Sequence, residues 1–428
     1  MMTTTVLEPK QRFLKQLEHF DRTSAAVKYQ PLRQSARGRF RELPFPTART
    51  EDWRFTSVAP LLHESFEVIA PAKVAADKLP ALSAPAALRL VFVNGRFAPD
   101  LSRLSDVPAG VAIGSLAEAP DSVSRLLGTV ADFGDQVFTA LNTSFVGDGA
   151  YVNVSEGMVV SRPIEVLFLA QPSGAAPAVF PRVFVRLGRE SRAVLIERYL
   201  PAAVGTYFTN AVSEVLVGDG AACDHVKLQQ EGPEAFHMAN TQFVLAERSR
   251  LTTHALALGG RLSRNEVRVR FDGEHAEATV NGMYLASGRQ HVDNQTILDH
   301  ARPHCASHEL YKGILDGQAH GVFNGKIFVR QDAQKTDAKQ TNKVLLLSDD
   351  ATIDTKPQLE IFADDVKCTH GATVGQLDAE QLFYLRSRGL DRDAARALLT
   401  FAFANDVVGR IPVELLREEL EQVILRQP

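Results

Sequence analysis

Cys368 and His370 stand two residues apart in the stretch ADDVKCTHGATVG, residues 363–375. On an extended strand, side chains two apart project from the same face. A thiolate and an imidazole so placed suit iron, zinc or copper(I). Two ligands do not close a metal site, since complete sites carry three or four. At least one more would have to come from elsewhere, another chain included. The bland alternative is a half-buried cysteine beside a hydrogen-bonded histidine. A Cys–His nucleophile pair is a third reading, but it needs hydrogen-bonded partners, an orienting group and a cleft or helix N-terminus to lower the thiol pKa. Nothing in the surrounding residues supplies these.

Other residues with chemical potential fare less well. Ten of the twelve histidines fall between His225 and His370, most densely in DHARPHCASH, 299–308. On a strand His304 and His308 would share one face and Cys305 the other, so the three do not converge on one ion, and no role is assigned to them. GVFNGKI, 321–327, has three residues between its glycines and Ile327 after Lys326. A phosphate loop needs four, then Ser or Thr for magnesium. The chain is therefore not expected to hydrolyse ATP itself.

Such residues need elements to hold them. The chain has 428 residues, 45% hydrophobic and 23% charged, with a formal net charge of −4. That is ordinary for a globular protein with a large core, and gives no electrostatic reason to expect nucleic acid or an anionic membrane as partner. Three cysteines far apart do not make a disulfide framework. The first residues lack an apolar signal core and no apolar run could span a bilayer, so a cytoplasmic location is expected.

Phe13, Leu14, Leu17 and Phe20 mark one face of a helix. LPFPTARTEDWRF, 43–55, breaks that pattern and holds the lone tryptophan, Trp53, a packing anchor by type. Residues 70–88 read as a linker, Asn94-Gly95 as a hairpin turn, and 121–143 as a further helix. From about 150 to 375 short β-rich stretches alternate with small or acidic turns such as GDGA, FDGE and LDGQ. The turns recur roughly every 15 residues or twice that, as in stacked rungs. The expected fold is mainly β, a β-helix core over 146–376 between an N-terminal helical or mixed region (1–145) and a C-terminal helical region (377–428). In the last, Asp378 and Asp391 start helices, Gly389 caps one, and Pro412 opens a third. These helices could cap the solenoid or dock a partner.

FNGKIFVRQDAQKTDAKQTNKVLLLSDDATIDTKPQLEIFADDVKCTHGATVGQLDAEQLFYLRSRGL, 323–390, closely resembles the C-terminal signature of the SufB/SufD family, in its SufD form. FPTARTEDWRFTSVAPLL, 45–62, and HVDNQTILDH, 291–300, look like that family's N-terminal and mid-core motifs. SufB-type chains typically show EHEAT in place of CTHGAT, and a cysteine at the position of Leu385. The resemblance implies a right-handed parallel β-helix and a non-catalytic scaffold subunit for iron–sulfur cluster assembly. It implies a SufB-like partner at the core and a SufC ABC-type ATPase at the C-terminal helices, with Leu382, Phe383, Leu385, Leu398 and Phe401 as anchors. His370, with Cys368 beside it, would face a SufB cysteine and help hold a transient iron–sulfur cluster shared with that subunit. Whether a reduced flavin binds the assembled complex is left open. The alternatives are a homodimeric metal-binding β-helix protein and a carbohydrate-active β-helix enzyme. Against the latter, the chain lacks clustered carboxylates with aromatic platforms.

Overall fold

From Phe208 to Ile361 the alternating stretches form strands, and none pairs with its neighbour in sequence. Phe236–Leu245 lies parallel to Phe208–Val217 on one side and Leu262–Phe271 on the other. Leu262 stands opposite His291, and His291 opposite His320, so one coil takes about 30 residues, twice the turn spacing. The result is a parallel β-solenoid of about eight turns, flanked by helices at both ends of the chain. Its two principal walls belong to sheets of eleven and ten strands.

The computed structural model describes residues 8–23, 27–69, 72–172 and 174–426. Residues 1–7, at the start expected to lack a signal core, and residues 70–71 of the expected linker lie outside the described residues.

The turns explain why small and acidic residues punctuate the sequence. Glu190, Arg248, His275, His304 and Lys335 take positive φ there, as do Gly220, Gly288 and Gly317, a left-handed conformation costly for most side chains. Several turn amides are satisfied one rung on: Glu190 N–H donates to Asp219 O at 2.8 Å and Gly220 N–H to Glu247 O at 2.8 Å. Turns therefore stack as the strands do. The Asn94-Gly95 hairpin is present, with φ of 49° and 76° and Val93 paired to Arg96.

Helices α1 (Pro9–Thr23), α2 (Gln30–Glu42) and α3 (Ala59–His63) lean on the outside of the eleven-stranded wall. There Phe13, Leu17, Phe20 and Phe40 join Phe208 and Phe236 in one aromatic cluster. The N-terminal and mid-core motifs meet on this wall, where the Thr56 hydroxyl donates to Asp293 Oδ2 at 2.6 Å and Arg264 pairs with the same carboxylate.

The helix expected over 121–143 is instead two short ones, α4 (Asp121–Ser124) and α5 (Val137–Ser144), with turns between. The cause is Glu214. Its carboxylate, fully buried, accepts N–H groups from Gly128 at 3.0 Å and from Val130 and Ala131 at 3.1 Å. Those amides cannot point at one carboxylate and also run along a helix. Arg182, also fully buried, pairs with Glu214 at 2.5 Å and donates to Asn142 Oδ1 and Thr143 Oγ1 at 3.0 Å.

Three helices close the chain: α6 (Ala379–Ser387), α7 (Arg392–Val408) and α8 (Glu414–Leu425). Asp378 and Asp391 accept from the first free amides of α6 and α7, and Gly389 has φ of 97°. Val413 caps α8, so Pro412 precedes the cap rather than opening the first turn. Val407, Val408, Leu416, Leu420 and Ile424 pack on Val226, Leu256, Met283 and Ile314 of the ten-stranded wall. The helices thus lie along the side of the solenoid and do not cap its end.

Breaking the Arg182–Glu214 pair from one side leaves a buried charge with no counterion. Arg182→Ala is expected to lower unfolding free energy by about 3–5 kcal/mol, read by urea denaturation. A loss below about 1 kcal/mol, the range of an exposed pair, would contradict this account of the loop.

Candidate functional site

Cys368 and His370 lie on Lys367–Gly375, the last strand of the ten-stranded sheet. The preceding strand, Asp337–Leu346, shows which way they face. Its Ala338, Gln340 and Asn342 are buried while Lys339 and Lys343 are exposed. Cys368 stands opposite Ala338 and His370 opposite Gln340. Both therefore occupy inward-facing columns and share one face, the latter as the two-residue spacing predicts. No further strand follows, so His370 is exposed and Cys368 half-buried against the core.

The facing strand, Thr352–Ile361, is likewise the last of its sheet. Its row Thr355, Pro357 and Leu359 is only half-buried, and Ile361, Phe362 and Val374 stand exposed at the rim. The open end combines two unpaired strand edges with apolar side chains and one Cys–His pair. A free strand edge is a template for pairing with another chain.

Burial pushes the Cys368 thiol up, the negative charge of Asp337 adds to this, and the hydrogen bond with the Ala338 backbone opposes both. A thiol made harder to ionise is a poor nucleophile in the free chain. Among the described residues, no group of three or more His, Cys, Asp or Glu side chains could hold a metal. His304, Cys305 and His308 do not converge. His304 sits in a turn stacked on His275 at 4.8 Å, Cys305 is buried with its thiol on Gly273 O at 3.2 Å, and His308 points outward from the strand. Among the described residues, Cys368 and His370 have no third His, Cys, Asp or Glu side chain beside them with which to hold a metal.

Behind His370 lies a pair that motif reading did not single out. Gln340 Nε2 donates to Glu309 Oε2 at 2.7 Å, and Glu309, Gln340 and His370 succeed one another in a single column of the ladder. Glu309 is fully enclosed, and burial pushes its carboxyl up to about 7. Only its inward parity in HELYKG marks it, a signal readable once the register is known.

The second expected site is the C-terminal helical pair. Phe383 is 74% exposed and Leu398 43% exposed. Leu385 and Leu398 line a shallow apolar groove of about 500 Å3 between α6 and α7, with Tyr384, Leu399 and Ala402. Leu382 is half-buried, and Phe401 packs partly against the seam that fixes α7 to the solenoid. That seam carries polar anchors too. Lys312 Nζ donates to Phe403 O at 2.8 Å and to Asp406 at 2.5 Å, Arg396 pairs with Asp316 at 3.0 Å, and Arg198 grips Glu419 at 2.5 Å.

Comparison with known proteins matches residues 168–403 to the family model "SUF system FeS cluster assembly, SufBD core domain" and residues 10–166 to "SufBD protein N-terminal region". The chain is 35% identical over 410 residues to an iron–sulfur cluster assembly SufBD family protein of Synechocystis, covering 92% of this chain and 89% of that protein. It is 33% identical over 389 residues to iron–sulfur cluster assembly protein SufD of Escherichia coli, covering 89% and 88%. It is 31% identical over 411 residues to the chloroplastic protein ABCI7 of Arabidopsis thaliana, covering 92% and 85%. Among the described residues, no helix is long and apolar enough to cross a membrane.

Glu309 gives this region a pH signature. A carboxyl whose folded pKa is raised holds its proton more tightly in the folded state. Its contribution is fully present below the unfolded value of 4.5 and is lost as pH rises through about 7. Glu309→Gln should therefore stabilise the chain by ~3 kcal/mol at pH 8 and by little at pH 4.5. Urea denaturation at both pH values measures it, and equal effects would contradict the assignment.

Proposed function

This chain belongs to the SufBD family of iron–sulfur cluster assembly proteins, and we propose that it is the SufD-type scaffold subunit, completed at its open solenoid end by a SufB-type partner. The observation that carries this reading is the last rung. Two strand edges without a further strand, an apolar rim and a two-residue ligand set occupy the same surface. A partner solenoid would continue both sheets, cover Ile361, Phe362 and Val374, and bring the missing ligands to Cys368 and His370. A second copy of this chain could pair with the same edges, and the homodimer is the rival outcome.

In this reading the cluster is cargo rather than a resident group. A neutral imidazole from His370 contributes one donor without the charge of a thiolate. A cluster so held is bound less tightly than one held by four thiolates, which suits a site that must release its product. Coverage by the partner would also change the surroundings of Cys368, whose thiol is disfavoured as thiolate in the free chain.

The groove between α6 and α7 suits an ABC-type ATPase, which would supply the ATP hydrolysis. Exposed Phe383 and Leu398 are the kind of apolar anchors that dominate helix-in-groove contacts. A pull on these helices would reach the solenoid through Lys312–Asp406 and Arg396–Asp316. Lys312 lies on the same strand as Glu309, two rungs below the open end. The chain acts in this scheme as a cytoplasmic scaffold that transmits motion and catalyses nothing itself.

Two experiments on the co-expressed assembly follow. His370→Ala should lower the iron and acid-labile sulfide recovered with the complex by roughly tenfold or more, with subunit ratios unchanged by native mass spectrometry. Undiminished cluster formation and transfer would sink the ligand role. Phe383→Asp with Leu398→Asp should abolish co-purification of the ATPase while leaving the melting temperature within about 2 °C, because both side chains are exposed. Full retention of the ATPase would remove the groove as its docking site.

A further inference from the structure

Where the N-terminal and mid-core motifs meet, two imidazoles stand together that the assembly reading does not use. His291 and His320 are register partners on adjacent strands of the eleven-stranded wall. Both rings are half-buried and line an open recess of about 950 Å3, beside Phe55 and Ser57 of the N-terminal segment and Gly288 and Arg289 of a turn.

Their partners fix which nitrogen is free. The Thr56 hydroxyl gives its one proton to Asp293, so it accepts from His291 Nε2 at 2.9 Å, and that nitrogen carries the N–H. His320 Nε2 donates to Asp354 Oδ2 at 2.8 Å. Each neutral ring therefore keeps an unprotonated Nδ1, and neither Nδ1 has a hydrogen-bond partner among the described residues. Nor is either sealed from solvent, as the unpartnered Nδ1 atoms of His254 and His300 are. His320 leans on Asp354 directly and His291 on Asp293 through Thr56. Metal-bound histidines are held in the same way, by donating the second ring nitrogen to a fixed acceptor.

Spacing decides whether one ion can reach both rings. A metal–nitrogen bond of about 2.0 Å puts the ion about 3.2 Å from each ring centre, so rings at square or tetrahedral angles hold their centres about 4.5–5.2 Å apart. The two centroids are 4.7 Å apart with the planes at 85°. A nitrogen lone pair lies in the plane of its ring, and these planes cross. His275 and His304 are nearly as close, at 4.8 Å, but stacked within 15° of parallel, and stacked planes do not meet at an ion.

The lining narrows the ion. Arg261 and Arg289 also border the recess, which disfavours magnesium and calcium, hard ions that need several oxygen ligands. Imidazole nitrogen suits copper, nickel and zinc, with copper(II) bound most tightly. We propose that His291 and His320 bind a divalent transition ion through their Nδ1 atoms, with Asp293 and Asp354 orienting the rings and water filling the remaining positions. This site is independent of the cluster-assembly reading.

The test uses untagged, metal-free, full-length protein carrying Cys368→Ser and His370→Ala, which remove the other candidate ligands. Copper(II) is titrated in and read by electron paramagnetic resonance. One equivalent should bind with hyperfine structure from two nitrogens, displaced by zinc only in excess and by magnesium not at all. His320→Ala should weaken binding at least about tenfold and leave one nitrogen in the spectrum. Asp354→Asn should weaken it by about tenfold or more with both nitrogens retained. His304→Ala, in the stacked pair, should change neither. The melting temperature of each variant checks its fold. Absence of nitrogen-coordinated copper at micromolar concentration would overturn the proposal. Binding unmoved by His320→Ala would overturn it too, since the ion would then sit elsewhere.

Discussion

A parallel solenoid satisfies each strand's backbone with the next rung, and for that reason it cannot satisfy its last. Everything distinctive about this molecule follows from that constraint. Interior rungs are closed on both sides, with strand amides and several turn amides paired one rung on. The strands Thr352–Ile361 and Lys367–Gly375 have a partner on one side only. Helices could have covered them, but α7 and α8 are committed to the flank of the ten-stranded wall. The end is left open, and the Cys368–His370 pair sits there, whereas Cys223 and His225, spaced the same way on an interior strand, are buried.

Magnitudes separate what holds the C-terminal helices from what orients them. Partly exposed ion pairs such as Lys312–Asp406 and Arg396–Asp316 contribute at most about 1 kcal/mol each. Fully burying one leucine or isoleucine is worth about 1.5–3 kcal/mol, and α8 alone buries Leu416, Leu420 and Ile424. Apolar packing therefore attaches the helices, while the ion pairs fix their register on the wall. The opposite balance holds deep in the solenoid, where polarity is structural. Lys227 Nζ donates to Asn265 Oδ1 at 2.6 Å and lies 3.0 Å from His237 Nε2, and burial draws the lysine down to about 8. Such a group is tolerated only where its partners are in place, so it ties particular side chains of different rungs together.

Much of this was legible in the residues. Alternation and turn spacing predicted a solenoid, and the resemblance over 323–390 predicted its family. The shared face of Cys368 and His370 followed from their spacing alone, and its inward direction from the register against Ala338 and Gln340. What failed did so for non-local reasons. The apolar period across 121–143 is helical, yet a carboxylate at Glu214, far along the chain, takes the amides that a helix would need. The shared face expected for His304 and His308 assumed an extended strand, whereas His304 occupies a left-handed turn. Glu309 and Gln340 were invisible because their significance lies in register across rungs about 30 residues apart, which no local window spans.

The central claim is that the last rung is finished by another chain. Hydrogen–deuterium exchange of the intact protein, alone and with a SufB-type subunit from the same organism, tests it most directly. The account predicts that amides of Thr352–Ile361 and Lys367–Gly375 become strongly protected on mixing, while those of the interior strand Leu262–Phe271 are unchanged. Unaltered exchange at both terminal strands in a complex shown to form would contradict it, and would move the interface and the case for His370 elsewhere.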